Sequence, residues 1–181
     1  MKKIQAGASL FIVLILLAVM AVAALSLARV TMTSTAVAGN MSFKAAAMQA
    51  SEAGLSEAFA QLQALAATDV DATKGTWYYP TAQATDAAGL PSGVTWSSVP
   101  SVPVPGGYTV SYVVERLCAG TLPVADITAQ CVVKRLAASG SAKAGTEQMD
   151  SPAAVQYRMT AYVQGPKGTN TFVQAIATKA S

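Results

Sequence analysis

The sequence predicts an α+β fold: a long N-terminal helix packed on an antiparallel sheet of about four strands. Three observations carry this. An unbroken apolar segment lies near the N-terminus, a stripe at helical period follows between Phe43 and Ala66, and two later stretches alternate strictly between apolar and polar residues.

The apolar segment comes first. No residue from Ile4 to Ala28 is charged, and Lys2 and Lys3 precede the run. Ala8 to Ala28 is 21 residues. As a helix that is about 31 Å, against a hydrocarbon core of about 30 Å. The two lysines are expected to keep the N-terminus cytoplasmic while the rest crosses the membrane. Three readings stand side by side. Ala21-Val22-Ala23 looks like a signal-peptidase site, although the run outlasts a usual signal core. An uncut anchor is the second. In the third, a cut between Gly7 and Ala8 removes a basic leader and leaves the helix on the mature chain.

Past Arg29 the helix is expected to continue. "ARVTMTSTAVAGNMS" holds few strong helix formers, and Gly costs about 1 kcal/mol relative to Ala in a helix, so a local break is expected near Gly39-Asn40. The periodic stripe then consists of Met48, Leu55, Phe59, Leu62 and Ala66, which should face the sheet. Glu52 points elsewhere, onto a solvated face, into a local hydrogen bond or toward another subunit.

Thr68 to Pro91 reads as loop. Asp69 and Asp71 lack the companions of a calcium loop and read as turn chemistry. In "TWYYP" (Thr76 to Pro80) the aromatics are expected to tuck the loop onto the core rather than to form a recognition patch. "GYTVSYVVERL" sets Tyr108, Val110, Tyr112 and Val114 on one face, with Thr109, Ser111 and Glu115 on the other. "VQYRMTAYVQ" alternates in the same way, and "GPKGTN" turns it into "TFVQAIATK", a hairpin. "ITAQCVVKRL" is expected to be a further strand, followed by the linker "AASGSAKAGTEQMDSP".

The net charge of +3 raises nucleic acid as a partner. From Arg29 onward, however, ten Lys/Arg meet nine Asp/Glu, and no basic run exceeds Lys134-Arg135. Nucleic acid is not expected. There is no histidine, which excludes His-based triads and His metal ligands. No phosphate- or dinucleotide-binding glycine pattern occurs. No enzyme activity, metal or cofactor is expected. Cys118 and Cys131 are the two cysteines. In an exported chain the pair favours a disulfide, and in a cytosolic one two free thiols. A bond across this spacing is worth about 3 kcal/mol.

The Gly7-Ala8 junction, Leu10, Leu14 to Leu17, then Ala38-Gly39-Asn40, Gln49-Ala50 and Glu52-Ala53-Gly54-Leu55 together resemble the N-terminal region of PilX-type minor pilins, within the type IV pilin superfamily. "YRMTAYVQGPKGTNTFVQ" is similar to that family's closing hairpin. The resemblance covers roughly the first 65 residues and the last 25, leaving the middle unplaced. It implies a pilin-like fold with a leader at 1–7, a transmembrane and assembly helix at 8–28, its continuation at 29–67 and a globular β domain at 68–181. It further implies cleavage after Gly7 and methylation of Ala8 by the prepilin peptidase. The subunit would sit in the inner membrane with its globular domain periplasmic, then enter an extracellular pilus.

Most pilins carry Glu at the fifth mature position, where this chain has Ile12. An intramembrane carboxylate costs several kcal/mol unless it is paired, as against an N-terminal amine. Ile12 removes both the cost and the pairing. The resemblance thus implies a subunit that primes or caps assembly with other minor and major pilins and a large tip adhesin, rather than one that builds the shaft. It ties the chain to adhesion and twitching. Two other functions stay open: a pilus-displayed module binding a ligand or DNA, and a single-span exported protein unrelated to filaments.

Overall fold

The computed structural model describes residues 8–135 and 153–180. The leader and the linker at 137–152 lie outside the described residues. The chain divides into two compact units, residues 1–44 and 45–181.

Helix α1 runs from Ala8 to Ala64 and crosses the division. In the first unit its side chains from Ser9 onward are exposed almost throughout. The expected break near Gly39-Asn40 is absent, and the helix passes through both residues. One glycine costs about 1 kcal/mol, too little to interrupt hydrogen bonding supported on both sides. The Ser/Thr-rich stretch is helical too, and its hydroxyls bond back to carbonyls of the same helix instead of drawing the backbone into a turn. Thr33 donates to the Arg29 carbonyl (2.7 Å) and Thr35 to that of Thr31 (2.8 Å).

The second unit holds the rest of α1 and a mixed six-stranded sheet, not an antiparallel one of about four strands. The strands are β1 (Tyr78–Tyr79), β2 (Ser101–Val104), β3 (Tyr108–Arg116), β4 (Val133–Arg135), β5 (Ala153–Gln164) and β6 (Asn170–Ala180). Three long antiparallel strands form the body: β5 pairs with β3 on one side and with β6 on the other. β2 pairs antiparallel with the first half of β3, and β1 runs parallel to its second half, through Tyr78↔Val114. β4 pairs with the start of β5. The expected strand from Ile127 is instead a short helix, α2 (Ile127–Gln130), followed by β4.

The buried face of α1 also differs from the expected stripe. Of that stripe Leu62 is buried as expected and Leu55 is half-buried, but Met48, Phe59 and Ala66 are exposed, and the rest of the buried face is Ala47, Ala50, Ser51, Gly54 and Ala58, with Leu65 just past the helix. Small residues win because they let the helix lie close on the sheet, beside Val110 and Ala161. At Gly54 a Cβ atom would overlap the Val110 side chain. Alanine gains about 1 kcal/mol in helix propensity, but overpacking costs about 1–3 kcal/mol. Valine lacks most of that propensity gain. Gly54→Val is therefore expected to lower stability by about 2 kcal/mol, read as a fall in denaturant midpoint.

Tyr78 is fully buried against the α1 end of the core, with its hydroxyl donating to the Val70 carbonyl (2.7 Å). The loop aromatics thus tuck inward, as expected of "TWYYP". Burial pushes the Tyr78 phenol well up, reinforced by Tyr157 and Asp71 against an opposing Arg116. Burial also raises Tyr112 and Tyr157. A phenol whose folded pKa exceeds its unfolded value of about 10 adds stability in full below that pH, and loses it as pH rises toward the folded value. Absorbance at 295 nm should show these three tyrosines silent through pH 10, then ionising together with unfolding. Ionisation of all six tyrosines near pH 10 in folded protein would contradict this burial.

Candidate functional site

Of the residues singled out from the sequence, Gly7 lies outside the described residues. Ala8 and Ile12 both lie on α1, and Ile12 is exposed. The helix contains a window of mean hydropathy 3.1, none of it buried within the protein. By length and composition it is able to cross a membrane. Its first acidic residue is Glu52, which is exposed. Met48 and Phe59 are exposed at helical spacing on either side of Glu52, and Leu55 is half-buried beside them. Ile12 belongs to the first unit and Glu52 to the second.

Cys118 and Cys131 are joined, with an S–S distance of 2.05 Å. Cys118 lies two residues past the end of β3 and is buried, while Cys131 directly follows α2. Backbone bonds flank the bridge, from the Ala119 amide to the Gln130 carbonyl (2.8 Å) and from the Val132 amide to that of Leu117 (2.8 Å). Asp126 caps α2 by accepting from the amides of Thr128 (2.8 Å) and Ala129 (3.2 Å) and from the Thr128 hydroxyl (2.7 Å). That hydroxyl first, and then the amides, hold its carboxyl below the ordinary value. Gln130 closes the same turn, its Oε1 accepting from Ala125 (2.9 Å) and Asp126 (3.0 Å). An open hollow of about 350 Å³ lies beside the disulfide, lined by Ala82, Leu117, Ala129 and Val132 among others.

Three features were not foreseen. Glu115, placed by alternation on the polar face, is fully buried and pairs with Arg158 through Nε (2.9 Å) and Nη2 (3.0 Å). The Gln83 amide, from the loop ahead of β2, donates to Glu115 Oε1 (2.8 Å). A second pair joins buried Arg116 to partly exposed Asp71 at 2.7 Å. On the same outer face as Glu115, Trp96, Tyr162 and Phe172 form an aromatic cluster, with Tyr162 and Phe172 stacked at 4.5 Å. Trp96 is the one member that comes from the loop, and no periodicity singled it out.

Among the described residues no group of three His, Cys, Asp or Glu side chains is placed to hold a metal. What the arrangement offers is surface: a span-length apolar helix, a helix face with exposed Met48 and Phe59, a braced loop and a sheet. No protein-family model, curated protein or solved structure matches the chain.

Proposed function

We propose that this chain is a PilX-type minor pilin. It waits in the inner membrane on its apolar helix and then joins other minor and major pilins to prime assembly or cap the pilus, in contact with a tip adhesin. One observation carries the reading. A single helix carries the 21 uncharged residues from Ala8 to Ala28 and ends as the stretch that packs on a mainly antiparallel sheet. That combination suits a subunit that leaves lipid for a helix bundle without refolding its domain. The absence of any carboxylate before Glu52 suits a position outside the repeating shaft.

The deciding experiment is intact and N-terminal mass spectrometry of protein extracted from membranes of a host that carries the prepilin peptidase. The expected mature chain begins at N-methylated Ala8. A start near Ala24 makes the segment a discarded signal and ends the pilin reading. A Met1 start in the same host makes it a plain anchor.

A further inference from the structure

We propose that the free edge of β6 takes up an extended strand from another polypeptide, adding a seventh strand to the sheet. The inference stands apart from the pilin reading and rests on backbone geometry. On β5, Gln156 turns its N–H and C=O to the β3 and β4 side, bonding the carbonyl of Val132 and the amide of Leu117. The registers on both sides are continuous, so the odd-numbered residues of β5 bond to β6, and on β6 the odd-numbered residues answer them. Phe172, Gln174, Ile176 and Thr178 therefore turn their N–H and C=O groups outward, and among the described residues no strand pairs with them.

Their side chains are also the exposed set, with Ile176 at 56% and Phe172 at 36%. Natural edges are guarded by proline, bulges or charged side chains, inward-pointing ones included. β6 contains no proline, and its register with β5 is unbroken from Asn170 to Ala180. Its single charge, Lys179, lies on the other face and donates to the carbonyls of Leu62 (2.8 Å) and Gln63 (3.3 Å) at the end of α1. Only a β-strand satisfies donors and acceptors repeating every two residues; a lipid or an apolar helix does not. The occupant is a strand with apolar residues four apart, set beside Phe172 and Ile176, and with no charge on that face.

The test uses the full chain in detergent micelles and residue-resolved amide exchange. The probe is a ten-residue peptide of alternating Val and Thr with a lysine at each end. In the free chain the amides of Phe172, Gln174, Ile176 and Thr178 should exchange fast while those of Val173 and Ala175 are protected. The peptide should slow the first set roughly tenfold or more. Ile176→Pro should abolish that slowing and leave the second set protected, because proline removes only an outward N–H. Ile176→Lys reads the same loss should the proline variant not fold. Three results overturn the proposal. They are protection of the outward amides in the free, dilute chain, protection that depends on protein concentration and so signals pairing between copies, and unchanged exchange at millimolar peptide.

Discussion

Arg158→Met is expected to lower the stability of the folded chain by about 3–5 kcal/mol, the range for stripping the partner from a buried charge. Glu115 is fully buried on β3, directly opposite Arg158 on β5. Among the described residues, two of the three groups that bond its carboxylate belong to that guanidinium, and the Gln83 amide is the third. Removing the arginine leaves a carboxylate out of water with one neutral donor. Glu115→Gln should cost less, about 1–3 kcal/mol, since the amide oxygen still accepts from Gln83 and the Arg158 side chain is 18% exposed and reaches solvent. The double variant Glu115→Leu/Arg158→Met should recover part of the loss. It should not recover all of it, because the Gln83 N–H is then left without its acceptor. Urea unfolding in micelles reads all three. A loss under about 1 kcal/mol for Arg158→Met would mean that water reaches Glu115 and that the pair behaves as a surface salt bridge.

β3 and β5 were legible as strands because strict alternation marks an extended chain, and β6 because a turn follows β5, although β3 is buried on both faces and not on one. β1 has two residues and β2 has four, including Pro103, so neither offers a period to read. Each is held by its pairing with β3, a contact distant in sequence. For α2 a local signal existed and was outweighed: Asp126 stands at the N-cap, and Gln130 bonds back to the amides before it. The β-rich "QCVVKR" beside it pulled the reading toward strand. On α1 the large residues Met48 and Phe59 drew attention, but close approach to Val110 selects Ala and Gly. Hydrophobicity marks which residues are able to be buried; contact distance decides which are. The buried Glu115–Arg158 pair spans 43 positions and Glu115–Gln83 spans 32, so no local pattern contains it. Of the candidate site, the apolar helix and the cysteine pairing were legible, while the free edge of β6 depends on register and was not.

Cys118→Ala/Cys131→Ala is expected to cost about 3 kcal/mol, the second large effect. The cysteines are 13 positions apart. A cross-link over a loop of that size removes about this much freedom from the unfolded chain. Alanine at both positions avoids leaving a polar group at Cys118, which is buried, and so isolates the constraint. The folded loop has other supports. Amides at Ala119 and Val132 bond across the bridge, and Asp126 and Gln130 hold the turn between them. The native geometry of residues 119–130 should therefore survive in the variant, with native-state amide exchange there faster only by the fall in global stability. The loss should also appear in the wild-type chain once it is unfolded, reduced and refolded under reductant, with the same denaturant midpoint as the double alanine variant. A cost under about 1 kcal/mol would mean that the unfolded chain keeps this loop closed without the bond. Exchange in residues 119–130 faster than the global change explains would show instead that the disulfide holds the native loop, and that Asp126 and Gln130 do not suffice.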